Sequence, residues 1–133
     1  MDTSKEYISM CEKAAEIQKA RSLIEDGDYY WWSVTDNVQT SFTEHHADYN
    51  VHHPEHWDWL SGRRIIWLPR QDQLQAMVGF EGLQTLTWRI HEFSETKYGG
   101  GFTIFGSMEQ LWLAFVMKEK YNKVWNGTDW IKE

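Results

Sequence analysis

The chain carries a single cysteine, Cys11, and two prolines, Pro54 and Pro69. One cysteine excludes an internal disulfide and any metal cage built from thiolates, and a lone Cys on an apolar helical stripe reads as a small buried hydrophobe. Long hydrophobic runs are also missing. None approaches the ~18 residues of a membrane-spanning helix. The opening residues MDTSKEYISM lack the basic region and apolar stretch of a secretory signal, so the expected location is cytoplasmic, with no membrane partner. Positive charge is scarce: 13 Lys and Arg stand against 20 Asp and Glu, for a net charge of −7. Nucleic acid is therefore not an expected partner, because its binding depends on Lys and Arg neutralising phosphates.

What is abundant is aromatic side chain, with nine Trp, six Tyr and six Phe among 133 residues. That length fits one domain with a sizeable core. The clearest local signals lie in the last quarter, SMEQLWLAFVMKEKYNKVWNGTDW. Ser107 with Gln110 three residues on makes a capping box, so a helix starts near Met108. Between Met108 and Met117 only Glu109 and Gln110 are polar, which leaves no face for water and predicts a helix covered on several sides. Asn126-Gly127 then predicts a two-residue hairpin turn, with Trp125 opposite Thr128 and Lys123 opposite Trp130.

Earlier in the chain, Thr3 and Glu6 offer another capping box before Tyr7, Cys11, Ala14 and Ile17, which predicts a helix over about 4–21. Residues 29–35 are aromatic and β-branched and read as a strand, as do residues 63–68. Pro69 predicts a helix to about Val78 with Leu74, Met77 and Val78 inward. Leu86, Trp88 and Ile90 alternate with Thr85, Thr87, Arg89 and His91, which predicts a half-buried strand, followed after Gly99-Gly100-Gly101 by another over 102–105. The order predicts a single α+β domain over residues 1–133: a mainly antiparallel sheet packed with about three helices, closed by a C-terminal β-hairpin.

The strings SMEQLWLAFVMKEKYNKVWNGTDWIK, IIWLPRQDQLQAMV and EYISMCEKAAEIQKARSLIEDGDYY together resemble a family of small uncharacterised phage and prophage proteins. The resemblance covers about half of the chain. It implies an origin in a bacterial virus or integrated prophage, and location in the cytoplasm of the bacterial host. It brings no catalytic residues with it.

The segment at about 36–62 loses periodicity and gathers every histidine except His91, together with Trp57 and Trp59. Pro54 predicts a short helix there, with His53 at its cap. His52, His53 and His56 are the candidate metal ligands of this region, but neither a helical HExxH signature nor a Cys/His framework accompanies them. A solvated histidine-rich loop is the simpler reading. Trp31, Trp32, Trp57 and Trp59 form a candidate binding patch, since Trp brings large rigid contact area at low entropic cost. Trp67, Trp88 and Trp112 are assigned to the core. No GxSxG elbow and no phosphate-binding loop is present, and no catalytic residue is assigned. The expectation is a non-enzymatic accessory protein that binds a protein partner and uses no cofactor. The alternatives are a metal-dependent enzyme centred on His45–His56 and a carbohydrate-binding module built on exposed Trp.

Overall fold

The computed structural model describes residues 1–21, 25–33, 36–40, 65–79, 82–99 and 105–133. Among these lie five helices and two small antiparallel sheets, an α+β domain. The helix expected over 4–21 is broken in two: α1 spans Lys5–Lys13 and α2 spans Ala15–Lys19. The cap is Ser4, one residue later than expected, and its side-chain oxygen accepts from the Tyr7 amide. Tyr7, Met10, Cys11, Ala14 and Ile17 are all fully buried, as their helical spacing requires.

The break at Ala14 (φ −85°, ψ 72°) has neither glycine nor proline to announce it. Its consequence is visible in Gln18, whose amide N–H donates to the Cys11 carbonyl beside the break and to the Trp67 carbonyl, while its oxygen accepts from the Trp67 N–H at 3.0 Å. Trp67 is only 5% exposed. Removing the amide orphans its N–H and C=O, and each orphaned buried group costs about 1–3 kcal/mol. We therefore expect Gln18→Ala to lower stability by about 2 kcal/mol, read as a reduced urea midpoint at unchanged m-value; an unchanged midpoint would show that water replaces the amide at no cost.

The first sheet has the order β2-β1-β3, from β1 (Tyr29–Trp32), β2 (Asn37–Thr40) and β3 (Ile65–Leu68). β1 is central and antiparallel to both neighbours, with Trp31 opposite Val38 on one side and Ile66 on the other. β2 lies in the segment expected to be irregular from residue 36, so that expectation is corrected at its start. The rest of the segment, including the short helix expected after Pro54, falls outside the described residues. So do residues 102–104 of the expected second strand; Phe105, its last residue, is not in a strand. From β3 the chain passes Pro69 into α3 (Gln71–Met77), where Leu74 is fully buried and Met77 and Val78 pack against the core.

The largest correction concerns Leu86, Trp88 and Ile90, which lie in a helix, α4 (Leu83–Ser94), and not in a strand. Leu86, Ile90 and Phe93 fit a helical stripe as well as Leu86, Trp88 and Ile90 fit an alternating one. Packing against the next helix chose between them. The Phe93 ring meets Phe115 edge-on at 5.4 Å, and Arg89 pairs with Glu119 at 3.0 Å. The Thr87 hydroxyl donates to the Leu83 carbonyl one turn back, which accommodates a β-branched residue in mid-helix. Trp88 is consequently 61% exposed and does not belong to the core. Replacing it with Ser is expected to move stability by no more than about 0.5 kcal/mol, where a core tryptophan would cost several.

The helix expected at Ser107 is α5 (Met108–Tyr121), and it is the centre of the molecule. Residues 112–117 are all buried, and α1, α3 and α4 each pack against it. Ser107 accepts from the Gln110 amide as expected, but the Gln110 side chain bonds Gly106 N–H and Asp2 in place of closing the box. Asn122 ends the helix in the left-handed conformation (φ 54°). The second sheet follows, β4 (Lys123–Trp125) against β5 (Trp130–Lys132). Its loop holds four residues, not two: Trp125 faces Trp130 directly, and the Asn126 side chain accepts from the amides of Thr128 and Asp129. An Asx turn outcompeted the tighter turn. The Trp125 and Trp130 rings lie 5.0 Å apart on one face of the hairpin, as the expected register also required, and reach α1 through bonds to Glu6 and the Met10 carbonyl.

Candidate binding surfaces

Adjacent residues of a strand point to opposite faces. Trp31 and Trp32 therefore do not form one patch: Trp31 shares a face with Tyr29, and Trp32 shares the other with Tyr30. Trp57 and Trp59, and the metal candidates His52, His53 and His56, lie outside the described residues. Among the described residues no group of three His, Cys, Asp or Glu side chains could hold a metal ion. No helix among them is long and apolar enough to cross a membrane.

On the Trp31 side, the first turn of α1 overhangs the sheet and leaves a cleft of about 440 Å³. Its floor is Tyr29 and Trp31, with Thr40 and Val38 directly opposite on β2. Ile8 closes the apolar wall from α1. Lys5 and Asp36 stand at the rim, both exposed. The Trp31 indole N–H donates to the Asp36 carboxylate at 3.0 Å, so the ring is held from outside the strand. Asp36 itself sits at φ 48°, a left-handed conformation that aspartate tolerates better than most residues.

A second surface is the outer face of α4, where Leu83 is 72% exposed beside the exposed Trp88. Gln84, Thr87 and His91 complete a shallow depression of about 370 Å³ around them. Only the opposite stripe of this helix, Leu86, Ile90 and Phe93, faces the core. Sequence reasoning missed this surface because Trp88 had been given to a buried strand.

Two polar clusters bind the fold together. Asp2 joins the caps of α1 and α5: one carboxylate oxygen accepts from the Ser4 backbone N–H, the other from the Ser107 hydroxyl and the Gln110 side-chain amide. Burial pushes its carboxyl upward, but these bonds from Ser107, Ser4 and Gln110 outweigh it and hold Asp2 below the usual carboxylate range. Asp28 is 1% exposed and accepts from Arg21, Gln73 and the Glu25 amide. Asp28 is enclosed by its partners, whereas Asp2, Ser107 and Gln110, bonded to one another, line an open depression of about 760 Å³ together with Glu6 and Glu109.

Buried protonated groups fix the behaviour in alkali. Burial raises Tyr7 well above an ordinary tyrosine, and its hydroxyl donates to the Pro69 carbonyl at 2.6 Å. Burial likewise pushes the Cys11 thiol up. A group whose pKa is raised by folding contributes stability that is complete below its unfolded value and is lost as pH rises beyond it. With unfolded values of about 8.5 for Cys and about 10 for Tyr, stability should be level to about pH 8 and then fall, more steeply above about pH 10. Urea midpoints from pH 7 to 11 would show this, and Cys11→Ala should move the onset toward about pH 10. A curve flat to pH 11 would contradict the burial of both groups.

No protein-family model, curated protein or solved structure matches the chain.

Proposed function

We propose that the protein is a non-enzymatic accessory protein of a bacterial virus or prophage, acting in the host cytoplasm by binding another protein. The observation that supports this reading is the outer face of α4. Leu83 and Trp88 expose most of their surface on a helix whose other stripe is anchored in the core. Large apolar side chains on a rigid element are the residues from which binding hot spots are built, and water-exposed placement gives the fold itself no return. The polar neighbours Gln84, Thr87 and His91 supply the rim that such a patch requires.

The test is a photo-crosslinking amino acid at position 88 in the full chain, produced in a bacterium carrying the virus. A discrete adduct with one host or viral protein is expected, and it should be suppressed by Leu83→Lys. The same crosslinker at position 131, exposed on the hairpin, serves as the control. Adducts at position 88 no more abundant or specific than those at 131 would defeat the proposal.

A further inference from the structure

We propose that the cleft between α1 and the Trp31 face of the sheet is a binding site for a neutral saccharide. The inference is independent of the α4 surface and goes beyond protein binding. Its cavity of about 440 Å³ falls in the range of small-ligand sites, roughly 300–1,000 Å³, and combines an apolar floor with a few convergent polar groups. A protein partner would call for a broad surface, about 800 Å² a side, and not for a cleft of this size.

The composition of the cleft selects the ligand. Tyr29 and Trp31 occupy alternate positions of β1, so both side chains leave the same face of the sheet and give the cleft aromatic surface. A sugar ring has an apolar C–H face to lay on such a surface and hydroxyls around its edge that both donate and accept hydrogen bonds. The rim provides for both: Lys5 only donates, Asp36 only accepts, and the hydroxyls of Thr3 and Thr40 do either. Lys5 and Asp36 cancel in charge, which favours a ligand without charge. A phosphate-bearing or nucleic-acid ligand would face one lysine offset by one aspartate in a chain of net charge −7. The bond from Trp31 to Asp36 orients the indole before a ligand arrives, so little ordering remains to be done on binding.

The experiment is a titration of the isotope-labelled full chain with glucose, galactose, N-acetylglucosamine and their short oligomers, followed by amide and indole N–H shifts. At least one sugar should shift the Trp31 indole N–H and the Lys5 and Val38 amides saturably, with affinity in the millimolar range. Trp31→Ala should weaken that affinity about tenfold or more, as loss of a stacked aromatic anchor does. Trp31→Phe keeps a ring and should retain most of it; Ile131→Ser, at an exposed hairpin position, should change nothing. If Trp31→Ala does not fold, Lys5→Ala, whose side chain is exposed, supplies the second test and should also weaken binding. Absence of any saturable shift at tens of millimolar overturns the inference. So do shifts that persist unchanged in a folded Trp31→Ala chain, or a crosslinked protein partner whose capture depends on Trp31.

Discussion

Replacing Phe115 with Ala is expected to lower stability by about 3–5 kcal/mol, the cost of deleting a fully enclosed aromatic ring whose surroundings relax only in part. Phe115 is 2% exposed at the middle of α5. Its ring meets Trp112 at 5.6 Å and Phe93 at 5.4 Å, both in edge-on arrangements, and the Arg89 guanidinium lies 5.3 Å from its centroid. Two elements of stabilisation are lost together: apolar burial, and two aromatic pairs worth about 0.5–1.5 kcal/mol each, one of which, Phe93 with Phe115, joins α4 to the central helix. Because α4 is anchored through Leu86, Ile90 and Phe93, with Arg89 reaching Glu119 and the Phe115 ring, its amides should also lose hydrogen-exchange protection first in this variant. A denaturation midpoint within experimental error of the parent would mean that the ring is not enclosed.

Asp28→Ala is the second large effect, about 3–5 kcal/mol, by a different route. No apolar surface is lost; an ion is removed from its partners. Asp28 accepts from Arg21 Nε at 2.9 Å, from Gln73 Nε2 at 2.7 Å and from the Glu25 amide at 2.7 Å, and Arg70 approaches at 3.9 Å while donating to the Gly27 carbonyl. The carboxylate thereby fastens the approach to β1 to the end of α2 and the start of α3. Its loss leaves the Arg21 side chain, 18% exposed, without its main counter-charge, although the Trp67 ring 4.9 Å away still offers a cation–π contact. Partial exposure of Arg21 places the effect near the lower end of the range. Asp28→Asn keeps the shape and some acceptor capacity and should cost visibly less. Equal losses for the two variants would assign the whole effect to the missing charge and none to the shape and acceptor capacity that Asn retains.

The elements legible in the sequence are those whose instructions are local. Ser107 and the apolar run after it specify the start and the central position of α5, and Pro69 places the start of α3 to within two residues. Where two periods fit the same residues, the sequence is ambiguous, and at Leu86 to Ile90 a neighbouring ring on another element decided in favour of a helix. The break at Ala14 was invisible because its reward lies in Gln18 reaching Trp67, 49 residues away. The hairpin turn was found at the correct place but with the wrong loop length, since the Asn126 side chain can close either turn. Trp31 could be picked out by type, but its company could not. Thr40 and Val38 join it through strand pairing, and Lys5 and Ile8 through the way α1 crosses the sheet.

Gln18 has a consequence for association as well as for folding. A glutamine amide carries the same donor and acceptor as a peptide group, and at Trp67 it occupies the position that the backbone of an added strand would take. The middle of the β3 edge is thus already paired, by a side chain that cannot propagate a ladder. An unpaired edge is a template for another chain, and capping it with a side-chain amide blocks polymerisation at the cost of one residue. In Gln18→Ala, chains that remain folded acquire an adhesive border, so concentrated solutions of that variant should form oligomers through β3 while dilute ones stay monomeric.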